Sequence, residues 1–130
     1  MYLLDTNTLI YLFKNQGNVA QNLEAIPAHS LYISSITLFE LYTGIAKSKS
    51  PEKRTLQLQH LLAQITLLNF DEKSAEIAAN IRADLEIKGT PIGTLDILIA
   101  SVALANDLTV VTHNTKEFSR VKNLQIIDWF

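Results

Sequence analysis

The feature that most narrows the fold is a rhythm. Five short apolar runs recur along the chain, each bounded by polar residues: "YLL" (2–4), "LYI" (31–33), "ITLL" (65–68), "LTVV" (108–111) and "LQII" (124–127). They are too short for helices and read as strands. Between them lie segments with helical spacing, at 7–15, 18–26, 35–48, 52–64, 72–88 and 94–106. Parallel strands need long crossovers and helices supply them, so this alternation specifies an α/β sandwich around a mainly parallel five-stranded sheet. No repeat, low-complexity tract or Pro/Gly-rich linker interrupts the pattern, which predicts one domain over residues 1–130. The stretch "KSKSPEK" comes nearest to a hinge, with Pro51 placed to open a helix at its first turn.

Composition removes several function classes. At 48% hydrophobic residues the chain carries enough apolar surface to exclude disorder. For 130 residues that fraction also points to surface covered by a partner or a second copy. There is no cysteine, so neither disulfides nor thiolate-bound zinc hold the fold, which suits a reducing, cytoplasmic setting. The longest apolar run, "ILIASVALA", is too short to span a bilayer, and Asp5 interrupts the N-terminal apolar stretch that a secretory signal would need. The net charge of −2 does not favour polyanions overall. Basic residues are nevertheless uneven: Lys47, Lys49, Lys53 and Arg54 crowd one stretch, and Lys116, Arg120 and Lys122 another. Such clusters are ordinarily solvated faces; beside a site that handles phosphates they become backbone contacts.

Ligands of open parallel sheets bind beyond the carboxyl ends of the strands. After the first strand stand Asp5, Thr6 and Asn7; after the fourth stand Thr112, His113 and Asn114. Asp5 reads equally as a helix cap and as a ligand. Asp96 is more telling. From Leu95 to Ala105 apolar side chains cover nearly the whole circumference of the predicted helix, which is the mark of a buried helix. Asp96 shares a face with Ile99, Ala100 and Ala103, and a buried carboxylate must be paired, protonated or metal-bound. The bland alternative is an acid stabilised by the helix dipole. Periodicity treats Glu40 differently. In "SSITLFELYTGIAK" the apolar stripe runs through Leu38, Leu41, Tyr42 and Ile45, leaving Glu40 with Thr37, Gly44 and Lys47 on the solvated side. Glu117, alone, reads as surface charge, and Asn114 as a turn residue.

Taken in order, "LLDTNTLI", "SSITLFELYTG", "GTPIGTLDILIASVA", "VVTHNTKEFSRV" and the closing "IIDWF" resemble the successive motifs of PIN-domain proteins, and most of all the VapC-type toxins of bacterial toxin–antitoxin pairs. The likeness runs from the first residues to the last. It implies a PIN-like three-layer sandwich and an endoribonuclease dependent on Mg²⁺ or Mn²⁺, with metal-binding carboxylates at Asp5, Glu40 and Asp96. Many members carry a further acid where this sequence has Asn114; members with a "TNN…EF" segment offer a glutamate matching Glu117. Here the segment reads "THNTKEF", and Glu117 is preferred as the fourth catalytic acid. The resemblance further implies an RNA substrate (tRNA at the level of the family), a VapB-type antitoxin inserting a helix or strand near the acidic cleft, and a homodimer.

Phosphodiester hydrolysis explains why such residues would be gathered. A divalent cation lowers the pKa of bound water and polarises the phosphoryl oxygen. Mg²⁺ takes oxygen ligands and keeps several waters, so two or three carboxylates suffice. Thr6, Asn7, Thr112 and Asn114 are the polar residues placed to support them. Lys47, Lys49, Lys116 and Arg120 are the candidate contacts to the RNA backbone, giving salt-sensitive affinity. Two other classes fit less of the sequence. One is a PIN-like RNA- or protein-binding module that has lost catalysis, suggested by Asn114. The other is a phosphoacceptor domain, since "LLDTNT" faintly echoes D-x-D-x-T but has Asn7 in place of the second aspartate.

Overall fold

The computed structural model describes residues Met1–Phe130. Its strands are β1 (Tyr2–Leu4), β2 (Leu31–Ser34), β3 (Thr66–Leu68), β4 (Thr109–Val111) and β5 (Ile126–Ile127). All five are parallel and lie in the order β3-β2-β1-β4-β5. The helices are α1 (Thr6–Phe13), α2 (Val19–Glu24), α3 (Ser35–Ala46), α4 (Pro51–Leu62), α5 (Glu72–Ile87), α6 (Thr94–Ala105) and α7 (Thr115–Phe118). Every strand expected from the apolar runs is present, and each expected helix lies within its span give or take a residue. The four-residue α7 and a 3-10 turn at Ala28–Ser30 were not expected, because so few residues show no periodicity.

The sheet separates two cores, and neighbouring residues of one strand serve opposite faces. Leu3 and Val110 point into a core shared with Ile81 and Leu85 of α5, Ile99 and Val102 of α6, and Phe118 of α7. Leu4 and Val111 point into the other, shared with Leu9 of α1, Leu41 of α3, Leu58 of α4 and Trp129. The result is the three-layer sandwich that alternation of elements implied. Helix α6 is buried along its middle, at Ile97, Ile99, Ala100, Val102 and Ala103, while Leu95, Leu98, Leu104 and Ala105 are half-buried.

Helix α3 departs from the reading by periodicity. Leu41 is buried, but Tyr42, assigned to the apolar stripe, is 54% exposed, as is its neighbour Phe39 at 58%. Thr37, assigned to the solvated side, is wholly buried. The helix is rotated so that a polar edge faces inward, because what covers that edge is another polar surface rather than solvent.

The chain crosses from one half of the sheet to the other between β1 and β4, the topological switch point of this strand order. Asp5 N–H donates to the Val111 carbonyl at 3.1 Å, carrying the pairing of β1 and β4 to the last residue before the loops part. The C-terminal segment closes beneath them. Trp129 is buried against Tyr2, and Phe130 stacks on His113 and lies over Gly17. Gly17 adopts φ +64, and a Cβ there would meet the Phe130 ring at 2.7 Å, so only glycine fits the turn.

Candidate active site

Asp5 occupies the N-cap of α1, and its Oδ1 accepts the backbone N–H of Thr8 at 2.9 Å. The capping reading is therefore correct, and it does not exhaust the residue. Asp5 is only 3% exposed, and burial pushes its carboxyl above the ordinary range even against hydrogen bonds from Thr112 and Thr8. Thr8 is held in turn, its hydroxyl donating to the Val111 carbonyl at 3.1 Å.

Asp96 stands in the first turn of α6, whose N-cap, Gly93, offers no side chain to that turn. Thr94, the residue better suited to cap, is the first residue of the helix instead. The Asp96 carboxyl is pushed up to about 6, first by burial and then by the negative charges of Asp5, Glu117 and Glu40. Four acids from four separated segments thus share one electrostatic environment. Like charges in one site disfavour ionisation, which adds to the larger effect of burial.

Two polar bridges organise the cluster. On one side Thr6 Oγ1 lies 2.6 Å from Glu40 Oε1 and 3.2 Å from Thr37 Oγ1. The single hydroxyl proton of Thr6 goes to the carboxylate, the stronger acceptor, and leaves the Thr37 hydroxyl to donate back. On the other side Asn114 Nδ2 donates to Glu117 Oε2 at 2.8 Å and lies 3.4 Å from Asp96 Oδ2. Asn114 is itself positioned by Thr112, whose hydroxyl accepts the Asn114 backbone N–H at 2.9 Å. An amide at this position joins two carboxylates that would otherwise repel; an acid there would not.

Asp5, Glu40, Asp96 and Glu117 are therefore brought together, with Thr6, Thr112 and Asn114 among them. Asn7 is exposed in the first turn of α1 and absent from this hydrogen-bonded set. Thr37 belongs to the set but was assigned to solvent by periodicity. Its signal was the spacing of Thr37, Glu40 and Gly44, a polar and small stripe of helical period on an otherwise apolar helix. Lys47, Lys49 and Lys116 are exposed. Arg120 is partly engaged, donating from Nη1 to the Pro91 carbonyl at 3.0 Å, and so ties the segment after α7 to the approach to α6.

The donor set is entirely hard oxygen, which fits Mg²⁺ or Mn²⁺ and excludes the sulfur and imidazole sets of zinc. No three of the acids close into a chelate as they stand.

An acidic cluster at the switch point of a parallel α/β sandwich defines a class of protein before any relative is considered. The family model for the PIN domain matches residues 2–124. The chain is 38% identical over 128 residues to the tRNA(fMet)-specific endonuclease VapC of Salmonella typhimurium, covering 98% of this chain and 97% of that one. It is 39% identical over 131 residues to ribonuclease VapC2 of Rickettsia felis, with 99% and 98% covered. A crystal structure of Rickettsia felis VapBC2 bound to a DNA fragment from its promoter superposes with a TM-score of 0.92 at 38% identity, covering 99% of this chain and 98% of that one. The chain belongs to the PIN-domain family, among its VapC-type ribonucleases.

Proposed function

We propose that the protein is an endoribonuclease toxin whose cleft uses Mg²⁺ or Mn²⁺ to hydrolyse RNA phosphodiester bonds. One observation carries the metal dependence: Asp5, Glu117 and Glu40 act together on Asp96, after burial, to push its carboxyl up to about 6. Such a charge concentration is unfavourable without a counter-ion and favourable around one. Asp5, Asp96 and Glu40 would hold the ion, with Glu117 joining them on the Asn114 side. When bound, the cation supplies Lewis acidity to the phosphoryl oxygen and lowers the pKa of a coordinated water.

The chain's own residues do the rest. Thr6 keeps the Glu40 carboxylate turned inward, and Thr112 fixes Asn114, which sets the spacing of Asp96 and Glu117. Lys47, Lys49 and Lys116 are exposed cations available to RNA phosphates. Relatives named tRNA(fMet)-specific endonucleases make tRNA the first substrate to test, and the VapBC complexes among structural neighbours make a VapB-type antitoxin the expected partner. The exposed Phe39 and Tyr42 of α3 offer a surface for the expected homodimer. No helix is long and apolar enough to cross a membrane.

The test is cleavage of bulk tRNA by purified protein with Mg²⁺ or Mn²⁺, wild type against Asp96→Asn. Cleavage should require the metal, stop with EDTA and fall about a thousandfold or more in the variant, the scale expected when several kcal/mol of charge stabilisation is lost. Undiminished cleavage by Asp96→Asn, or in excess EDTA, would refute the reading.

A further inference from the structure

On the side of β4 and β5 the acidic cleft is bordered by aromatic side chains. His113 leaves the chain between Thr112 and Asn114, both of which stand in the cleft. Its ring stacks on Phe130, with centroids 4.2 Å apart and planes 24° from parallel. Tyr11 of α1 is steeply inclined to both rings, 5.9 Å from His113 and 4.8 Å from Phe130. One carboxylate aligns the stacked pair. Asp128 Oδ1 accepts the Phe130 backbone N–H at 2.9 Å, and Asp128 Oδ2 lies 2.9 Å from His113 Nδ1. Asp128 also belongs to the electrostatics of the cleft: burial is what chiefly raises the Asp5 carboxyl, and the charge of Asp128 adds to it.

Burial does not account for this cluster. Trp129 already anchors the segment, packed against Tyr2 in the core and fixed by Asn22, which donates to its carbonyl at 2.8 Å. The rings beyond it stay open. Phe130 is 39% exposed, and the side chains of His113 and Asp128 are 44% and 36% exposed. An ion pair so exposed adds little to stability. An ionised carboxylate only accepts, so His113 Nδ1 carries the proton toward Asp128, and Nε2 is left without a partner in the protein. Asn7 is exposed too, and its place four residues before Tyr11 puts both on one face of α1. Helical rise sets Tyr11 about 9 Å along the axis from Asp5, so the rings flank the acids rather than join them.

We propose that Tyr11, His113 and Phe130 form a base-stacking platform, on which a nucleobase beside the scissile phosphate rests while its polar edge meets His113 Nε2 and the Asn7 amide. Charge selects a base over a phosphate: the Asp128 carboxylate disfavours a second anion at the cluster and leaves a neutral ring unopposed. Single-stranded RNA is held by stacking of splayed bases on aromatic side chains, histidine among them, and polar contacts to a base edge add preference among bases. Because Asp128 fixes the two stacked rings beforehand, little ordering is left for the strand to impose. The platform rests on the ribonuclease reading and sharpens it, since it selects the base that stands next to the cut.

The experiment measures binding of labelled single-stranded oligoribonucleotides in the Asp96→Asn background, so that nothing is cut. One strand is intact, and each of the others lacks the base at one position. Loss of one particular base should weaken binding about tenfold, and the cut made by the wild type should map beside that position. His113→Ala should cost about as much on the intact strand and nothing further on the strand without that base, because ring and base make one contact. His113→Phe should keep the affinity and lose the preference among bases at that position. No phosphate is neutralised by the rings, so the salt slope should stay the same in both variants. Melting curves, and stabilisation by Mg²⁺ with Asp96 intact, identify a variant whose fold or metal site is disturbed; Tyr11→Leu, on a different element, then carries the test. Losses that simply add, or an affinity that no missing base and no ring substitution alters, would overturn the proposal. So would variants that bind RNA normally but no longer bind the cognate antitoxin, since the cluster would then hold a protein. A wild type that shows the coupled losses yet cuts no RNA would sink the ribonuclease reading and leave the platform standing.

Discussion

Helices α3 and α6 each deliver one carboxylate to the same cleft, and they do so by opposite designs. Helix α6 is apolar around its circumference and buried through its middle, from Ile97 to Ala103 except at half-buried Leu98; Asp96 enters the cleft because the helix begins there, at the sheet's switch point. Helix α3 is amphipathic with its polar edge turned inward, where Thr37 is buried and Glu40 meets Thr6, while Phe39 and Tyr42 face outward. Position along the axis places the first acid; rotation about the axis places the second. Two helices of equal length therefore differ in what each side chain contributes, and substitution should expose it.

The widest contrast is in the apolar residues. Ile99 of α6 is 1% exposed, so Ile99→Ala should cost about 2–5 kcal/mol in denaturant unfolding. Phe39→Ser on α3 should change stability by no more than about 0.5 kcal/mol, measured at a dilution where the chain is monomeric. Equal costs would mean that the outward face of α3 is part of the fold's own core. A smaller effect tests the rotation of α3. Thr6→Val keeps the shape but leaves Glu40 and Thr37 without their shared hydroxyl, which should cost roughly 1–3 kcal/mol, the desolvation of an unpaired polar group. If Thr6→Val melts with the wild type, the bridge contributes nothing and Glu40 is held by some other means.

The last effect is in pH. Asp96 is raised in the folded protein, from an ordinary 3.8 to about 6, so the folded state binds the extra proton within that window. Stability of the metal-free protein should therefore decline as pH rises from about 4 to about 6 and level off above, because the unfolded chain gives up its proton first. Asp5, raised by burial, acts in the same direction. Asp96→Asn should flatten the decline and melt higher than wild type near neutral pH, with the gain vanishing in acid. Added Mg²⁺ should stabilise the wild type and not the variant. A metal-free wild type whose stability rises through this window would show that the acids do not repel one another in solution.

Much of this was legible in the chain. The apolar runs marked every strand. In the central β1, β2 and β4 this is because a strand buried on both faces is a continuous apolar segment. Leu67 and Ile127 on the edge strands stay exposed. Burial of α6 was equally plain, since a helix without a polar side has no other place to go. Strand ends raised Asp5 as a ligand candidate on equal terms with a cap, and the cost of burying a lone acid singled out Asp96. Resemblance to PIN-domain motifs, rather than periodicity, singled out Glu40, and the structure explains why periodicity misplaced it. Polar side chains turned toward a polar cleft leave the same helical pattern as polar side chains turned toward water. Trp129 proved to be core and Tyr42 surface, a distinction that no local pattern carried.

What the sequence determined by itself is the set of elements and their layering, because periodicity of burial is a property of short segments. Tertiary structure alone decided which face of α3 turns inward and that Asn114 bridges Asp96 and Glu117. Each of those depends on what another segment, tens of residues away, places opposite. Electrostatic repulsion, hydrogen bonding and close approach act through space, and only the folded chain sets those distances.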